Sequence, residues 1–433
     1  MASAGSAIGL GNIWKFPYEV GKNGGSAFIM VYLACILFIG LSIVIAEYVI
    51  GRRSNANAVG AFKKLAPNSS WWLVGMLGVV AAITILSFYG VVAGWTFEYI
   101  FQAIQNAFSG KSPDQLDAMF DTFVSNPYRP LMWQLLFMAL TCGLIYSGVK
   151  KGIERYTEIL MPLLFIVIIM LAIRSITLPG GGAGLRFLFQ PNFSAINGDV
   201  VLSALGHAFF SLSLGLGAII TYGSYVNKND NLTAISFEVV ILDTVIAIMA
   251  GIAIFPAVFA YGIEPSSGPS LVFKTLPNVF QQMPGGMLWG ILFFFLLGVA
   301  ALTSSVSLLE VVTAYVSEQL KISRHLAIFL SALLITIIGI FCSLSQGPLS
   351  HVLLFDRTIF DLLDFLSANW MLPLGGMFTS IFVGWRMKKS DLEDELSNGG
   401  SLKIKALPLL RFVLRWVAPA GIFIVFLYNL NII

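Results

Sequence analysis

The sequence of 433 residues contains little charge: 11% of its residues are Asp, Glu, Lys or Arg, whereas 57% are hydrophobic. Soluble domains carry about 25% charged residues, so the composition predicts a polytopic membrane protein. So little charge also argues against a nucleic-acid partner, which requires a basic surface. The three cysteines, Cys35, Cys142 and Cys342, all lie in apolar segments, which argues against a disulfide framework or a thiolate metal site.

Motifs of nucleotide and metal enzymes are also missing from the sequence. It has no GxxxxGK[ST] motif for ATP hydrolysis and no HExxH motif or Cys/His cluster for a zinc protease. The three histidines, His207, His325 and His351, are scattered and form no proton relay. We therefore expect a protein that is not an enzyme.

Apolar runs of about 20 residues, the length that crosses a bilayer, predict an all-α integral membrane protein of about eleven spans. We number them helices 1 to 11, with predicted cores at 2–22, 27–50, 72–105, 131–149, 156–178, 198–226, 232–262, 286–320, 324–345, 359–386 and 408–431. Between helices 7 and 8, residues 263–284 contain four prolines and are expected to form a re-entrant or surface hairpin.

Lys and Arg set the expected orientation. They are concentrated after the even-numbered helices, as in Arg52 and Arg53 after helix 2 or Lys388 and Lys389 after helix 10. Cytoplasmic loops are enriched in these residues. We therefore expect a multi-pass protein of the inner or plasma membrane, with the N-terminus in the cytoplasm and the C-terminus outside.

Helix 1 contains a pattern that a lipid-exposed helix does not tolerate. Gly5, Gly9 and Gly11 crowd its middle, and polar Ser6 and Asn12 lie beside them. Gly5 and Gly9 also have the GxxxG spacing of close helix packing. With Asn12 and the features below, however, the pattern favours a helix interrupted at mid-membrane, whose freed carbonyls and amides bind ions and a charged substrate.

Helix 6 repeats this pattern, since Ser211, Ser213, Gly215 and Gly217 lie in the middle of its span. Two interrupted helices that open successive five-helix blocks suggest an inverted repeat. We predict a first repeat at 1–178, a second at 190–389, and helix 11 within 400–433. A binding site is expected near the midplane, between helices 1 and 6.

Three further features point to that midplane. Asp243 is isolated in apolar helix 7, and a charge there is costly and by default functional, although it could also be a cap near the helix end. Thr303 and Ser304 in helix 8 offer hard oxygen ligands, although such hydroxyls usually bond back to a carbonyl one turn earlier. Tyr89 in helix 3 is either a packing residue or a hydroxyl donor to a substrate carboxylate.

Together these motifs resemble the neurotransmitter:sodium symporter family, in its bacterial amino-acid-transporting branch. The resemblance covers essentially the whole chain and implies the LeuT-type fold, with helices 1 and 6 unwound at mid-membrane. The motifs that carry it are Gly5–Pro17, Asn23–Gly25, Ser211–Gly217, Asp243, Thr303–Ser305 and Asp364–Phe365.

The resemblance implies two sodium ions. The first would be bound by the substrate carboxylate, the carbonyl of Ala7, and the side chains of Asn12, Ser211 and Asp243. The second would be bound by the carbonyls of Gly5, Ile8 and Ala300 and the hydroxyls of Thr303 and Ser304.

It also implies where an amino-acid substrate would bind. The substrate carboxylate would meet the amides of Leu10 and Gly11 and the hydroxyl of Tyr89, and its ammonium the carbonyls of Ser6, Phe210 and Ser211, with Ser213 nearby. Ile85, Phe210, Leu216, Ser304 and Leu308 would line the side-chain pocket. Because this lining is apolar, the resemblance implies a hydrophobic substrate, aliphatic or aromatic.

The same resemblance implies which residues form the gates and whether transport requires chloride. Phe210 would be an aromatic lid, and Lys15 with Asp364 an extracellular charged gate, in which lysine replaces the commoner arginine and a bidentate pair is lost. Chloride-dependent relatives place a serine one turn beyond Asp243, where this chain has Ala247. We therefore expect no chloride requirement.

One departure concerns the cytoplasmic gate. Family members usually have a basic residue and a tryptophan ahead of helix 1, and this sequence has neither, which leaves Glu318 without its expected arginine. We expect that the sequence is truncated at its N-terminus, with a leaky inner gate.

These observations favour a sodium-coupled symporter that imports a hydrophobic L-amino acid by alternating access. Three alternatives stay open: a proton-coupled permease with Asp243 as proton carrier, a non-transporting receptor that retains the pocket, and an ion channel. The oligomeric state does not follow from the sequence.

Overall fold

A computed structural model describes residues 9–147, 155–262, 271–404, 406–429 and 432. These residues form α-helices joined by loops, and the described ranges contain no β-structure beyond an isolated bridge between Leu354 and Arg357. Within the described ranges, seven helices are long and apolar enough to cross a membrane on their own. The chain is therefore an all-α, multi-pass membrane protein.

The described parts of the eleven predicted spans begin and end close to the predicted cores. They are helix 1, Gly11–Lys15 and Phe16–Lys22; helix 2, Ser26–Cys35, Ile36–Gly40 and Leu41–Ser54; helix 3, Trp72–Ile104; helix 4, Arg129–Tyr146; helix 5, Arg155–Ile176; helix 6, Gly198–Ser211 and Ala218–Gly223; helix 7, Leu232–Ala260; helix 8, Gly286–Leu320; helix 9, Arg324–Leu344; helix 10, Ile359–Leu366, Ser367–Met371, Leu372–Ile381 and Phe382–Arg386; and helix 11, Leu407–Phe412, Val413–Val417 and Ala418–Asn429.

Shorter helices lie in the connections. They are Ala58–Leu65, Pro113–Ser125, Gly182–Phe189, the 3₁₀ turn Phe193–Ala195, Leu271–Gln282 and Lys389–Ser397. The proline-rich segment between helices 7 and 8 thus contains a helix, and its first residues, 263–270, lie outside the described ranges.

Helix 6 is interrupted where the sequence predicts it. Its first half ends at Ser211 and its second half begins at Ala218. The segment between them has positive φ angles at Ser213 (56°), Gly215 (76°) and Gly217 (78°). A Cβ atom at Gly215 would lie 2.8 Å from the amide nitrogen of Gly376 in helix 10. Glycine therefore supplies both the left-handed backbone and the close approach at this position.

The predicted interruption of helix 1 lies mostly outside the described residues, which begin at Gly9. From there the backbone amide of Asn12 donates to the carbonyl of Gly9 over 3.1 Å, and Gly11–Lys15 forms a π-turn. Such turns are common at functional sites.

Helices 3 and 8 lie at the centre of the molecule, where they pack along each other and are mostly buried. Helix 11 lies at the periphery, where only 33% of its apolar stretch is buried. Helix 1 contacts helices 6, 7 and 8 through Gly11–Lys15. The start of helix 1 and the break in helix 6 therefore meet against the buried helices.

Candidate functional site

A fully buried carboxylate lies where helices 1, 6 and 7 meet. Asp243 is 0% exposed, and its Oδ1 accepts hydrogen bonds from Asn12 Nδ2 at 2.7 Å and from the Ser211 hydroxyl at 2.8 Å. Asn12 Nδ2 also lies 3.0 Å from the Asp243 carbonyl oxygen. The structure thus brings together three predicted ligands, and Asp243 lies far from the ends of helix 7, which excludes a role as its cap.

One further residue of this cluster, Tyr32, was not among the predicted ligands. The hydroxyl of Tyr32 in helix 2 donates to Asp243 Oδ2 at 3.3 Å and lies 3.5 Å from the Ser211 hydroxyl. Nothing marks this tyrosine in the sequence, because it lies in the apolar run of helix 2. The fourth predicted ligand, the carbonyl of Ala7, lies outside the described residues.

A small cavity of about 30 Å³ adjoins this cluster. Nine predicted substrate residues line it: Gly11, Ile85, Tyr89, Phe210, Ser211, Ser213, Leu216, Ser304 and Leu308. Gly9, Ala218 and Ser307 line it as well and were missed. Ser6, whose carbonyl was predicted to bind the substrate ammonium, lies outside the described residues.

Backbone and side-chain polar groups meet at one end of the cavity. The amide of Leu10 donates to the Tyr89 hydroxyl oxygen over 3.1 Å. A Cβ atom on Gly9 would lie 2.9 Å from the same hydroxyl and would overlap Ser304. Glycine is therefore required for the start of helix 1 to approach helices 3 and 8 this closely.

The described half of the second predicted ion site lies on helix 8. The Thr303 hydroxyl donates to the Ala300 carbonyl over 3.0 Å, which is the back-bonding geometry, and Thr303 and Ser304 are both buried. Their oxygen atoms are neutral, hard ligands suited to an alkali cation. The carbonyls of Gly5 and Ile8 lie outside the described residues.

Charged and aromatic side chains lie between this small cavity and a larger one. Lys15 Nζ forms an ion pair with Asp364 Oδ1 at 2.8 Å and lies 4.5 Å from the centroid of the Phe210 ring. Lys15 also borders a second, open cavity of about 960 Å³, whose lining includes Glu19, Ser203 and Asp364. The predicted gate residues therefore lie between this large cavity, which we call the vestibule, and the small cavity beside Asp243.

A second buried carboxylate stabilises the break in helix 6. Glu47 in helix 2 is 0% exposed, and its Oε1 accepts the amide of Gly215 at 2.7 Å. Its other oxygen has no hydrogen-bond partner in the described part of the chain. The sequence carried a signal for this residue, because the argument from mid-membrane charge applies to Glu47 as it does to Asp243.

Two carboxylates close the opposite end of the site. Glu310 in helix 8 is 0% exposed, forms an ion pair with Arg324 at 2.5 Å, and accepts the Tyr225 hydroxyl at 3.0 Å. Glu318, expected to have no arginine partner, accepts the side-chain amide of Asn57 at 2.5 Å. Helices 6, 8 and 9 are thus linked at this face.

The model of the sodium:neurotransmitter symporter family matches residues 1–116 and 125–433. The chain belongs to the sodium:neurotransmitter symporter family. It is 42% identical to the sodium-dependent transporter YhdH of Bacillus subtilis, over 100% of this chain and 96% of that protein. A sodium-dependent transporter of Haemophilus influenzae is 36% identical over 99% of this chain and 96% of its own length.

A solved structure shows the same fold. The crystal structure of MhsT in complex with L-phenylalanine superposes with a TM-score of 0.93 at 49% sequence identity, covering 98% of this chain and 96% of that one. The LeuT-type fold is therefore confirmed, and this protein is a sodium-dependent membrane transporter. The division into two inverted repeats stays a prediction.

Proposed function

We propose that this protein is a symporter that imports a hydrophobic L-amino acid together with sodium ions and without chloride. The observation that carries the proposal is the Asp243 carboxylate, which is fully buried, is bound by Asn12 and Ser211, and adjoins an apolar cavity. No side-chain cation among its described partners neutralises it. A transported cation would supply the missing positive charge.

Two sodium ions are the proposed cargo ions. The first would bind to Asn12, Ser211, Asp243 and the Ala7 carbonyl, and the amino-acid carboxylate would complete its ligands. The second would bind to Thr303, Ser304 and the carbonyls of Ala300, Gly5 and Ile8. Because the first ion and the substrate would share a contact, each strengthens the binding of the other, and this coupling must be reciprocal.

The lining of the cavity supports a hydrophobic substrate. Ile85, Leu216 and Leu308 give it an apolar wall, while Ser213 and Ser304 add only neutral hydroxyls. The related structure of MhsT holds L-phenylalanine. The charged side chain of an acidic or basic substrate would have no partner of opposite charge in this cavity, and its burial would cost roughly several kcal/mol.

Alternating access follows from the two sets of contacts around the site. Lys15, Asp364 and Phe210 close the vestibule side, and Glu310, Arg324 and Tyr225 close the opposite side. Transport would break and reform these contacts in turn while helices 1 and 6 rock against the others. We assign the second set to the cytoplasm, since the adjacent loops carry the excess of Lys and Arg.

Chloride independence rests on the fixed charge of Asp243. Sodium ions need a compensating negative charge in a low-dielectric site, and Asp243 supplies it. One turn further along helix 7, Ala247 is buried and offers no hydroxyl to an anion.

Uptake into proteoliposomes tests the proposal. We expect an inward sodium gradient to drive accumulation of labelled phenylalanine, equally in chloride and in gluconate, and a potassium gradient to drive none. Uptake driven by a pH gradient without sodium would instead indicate a proton-coupled permease. Sodium-dependent binding without uptake would indicate a receptor, and either result would contradict the proposal.

A further inference from the structure

Two π-turns lie side by side at the basic face of the membrane domain. Phe382–Arg386 ends helix 10, Val413–Val417 interrupts helix 11, and the two turns are in contact. A π-turn leaves backbone carbonyls without their usual helical donors. The partners of these carbonyls determine what the turns do.

Side chains from each helix satisfy the carbonyls of the other. Arg415 Nε donates to the Gly384 carbonyl at 2.5 Å, and Trp385 Nε1 donates to the Arg415 carbonyl at 3.1 Å. The Ser380 hydroxyl donates to the Leu414 carbonyl at 2.7 Å. These reciprocal bonds fix the guanidinium of Arg415, whose Cζ lies 5.1 Å from the centroid of the Trp385 ring.

The arginines beside these two turns form no ion pair with a carboxylate of the described residues. Arg411 lies one helical turn before Arg415, and its buried Nε atom has no hydrogen-bond partner in the described part of the chain. None of the ion pairs formed by described residues includes Arg386, Arg411 or Arg415. Like charges at this spacing repel one another, so an anion would stabilise the pair.

Exposed aromatic side chains lie on the same surface. Trp385 and Trp416 pack edge to face with centroids 4.8 Å apart and are 50% and 55% exposed, and Phe412 beside them is 55% exposed. Tryptophans of this kind are typical of the membrane–water interface. Helix 11 begins at Leu407, about 6 Å along the helix axis from Arg411. Because helical side chains lean toward the N-terminus of their helix, Arg411 and Arg415 both extend toward this end of the helix.

We propose that this surface, formed by Trp385, Arg411, Arg415 and Trp416, binds the phosphate of an anionic phospholipid headgroup. The free donors of the two guanidinium groups would bind the phosphate oxygens, and the exposed indoles would contact the glycerol and upper acyl chains. Basic pockets between membrane helices bind anionic lipids by this chemistry. A bound lipid would hold helix 10, which carries the gate residue Asp364, against peripheral helix 11.

Native mass spectrometry of the purified full chain tests the site with two lipids, phosphatidylglycerol and phosphatidylcholine. We expect the wild type to retain phosphatidylglycerol selectively, and added inorganic phosphate not to displace it. Arg411→Gln should weaken this binding about fivefold, the effect of one basic residue at an anionic surface. Lys403→Gln is the matched control, because it removes one exposed charge from the same face.

Three results would overturn the site: equal retention of both lipids by the wild type, equal effects of Arg411→Gln and Lys403→Gln, or displacement by inorganic phosphate alone. The comparison of lipids on the wild type requires no variant to fold. Thermal unfolding of each variant in phosphatidylcholine checks that Arg411→Gln acts on lipid binding and not on the fold.

Discussion

The side-chain nitrogen of Asn12 lies 2.7 Å from a carboxylate oxygen of Asp243, and both side chains are 0% exposed. This contact joins the start of helix 1 to the middle of helix 7, across 231 positions of sequence. Ser211 donates to the same carboxylate from the first half of helix 6. Helices 1 and 6 are thus held at one negative charge, beside the cavity that we assign to the substrate.

Removal of that charge should weaken sodium binding. For Asp243→Asn we expect the sodium concentration for half-maximal substrate binding to rise at least about tenfold, since a neutral amide replaces a charged ligand in a buried site. Titration of phenylalanine binding with NaCl measures this. Glu238→Gln, an exposed carboxylate on the same helix, is the matched control and should leave the titration unchanged. An unchanged midpoint in Asp243→Asn would refute the assigned ion site.

The size of the pocket should set the preference among substrates. Leu216→Phe places a larger side chain into the cavity wall, so we expect phenylalanine to lose affinity about tenfold more than valine, because overfilling costs about 1–3 kcal/mol. Competition against labelled phenylalanine measures both affinities. Leu302→Phe, half-buried on helix 8 and outside the cavity, is the control. Equal losses for both amino acids would place Leu216 outside the substrate pocket.

Glu47 should matter through the backbone of helix 6. Glu47→Ala removes the acceptor of the Gly215 amide and leaves a buried N–H group unpaired, so we expect destabilisation of about 1–3 kcal/mol. Glu47→Gln keeps an acceptor and should lose less. Thermal unfolding without substrate compares both with Glu238→Ala. If Glu47→Ala unfolds at the same temperature as the wild type, the hydrogen bond to Gly215 does not stabilise the interrupted helix 6.

Arg324 should keep closed the side of the transporter that we assign to the cytoplasm. Arg324→Gln leaves the buried Glu310 carboxylate without its cation. Because the Arg324 side chain is 34% exposed, we expect the free energy that holds this face closed to fall by about 1–2 kcal/mol, less than for a fully buried ion pair. Hydrogen exchange in Ala218–Gly223 should then become faster. Lys321→Gln, a neighbouring exposed charge, should not change it. Unaltered exchange in Arg324→Gln would show that this ion pair does not hold the face closed.

Much of the fold could be predicted from the sequence, because membrane spans have a strong compositional signal. The break in helix 6 was predicted from Gly215 and Gly217, and both have positive φ angles. The left-handed conformation of Ser213 could not be predicted, since nothing in its residue type requires it. The π-turns of helices 10 and 11 also leave no mark in the sequence, because they depend on contacts between the helices.

The predicted site residues that meet in the structure are polar residues in otherwise apolar helices, and their role in binding stays a prediction. Asn12, Ser211 and Asp243 are conspicuous in apolar helices, and the structure places them in contact. Tyr32 was missed because a tyrosine in an apolar helix most often packs. Glu47 was missed although the same cost of burying a charge applied to it, so that signal was available.

The most direct test of the account is the affinity of phenylalanine for the purified protein at increasing sodium concentrations, at constant ionic strength maintained with potassium. If the ion and the amino-acid carboxylate bind at Asp243 as one unit, the apparent Kd falls steadily from about 1 to 100 mM sodium in the wild type, by at least about tenfold. In Asp243→Asn this dependence should be much weaker. A Kd that does not change with sodium in the wild type would contradict the coupling on which the account depends.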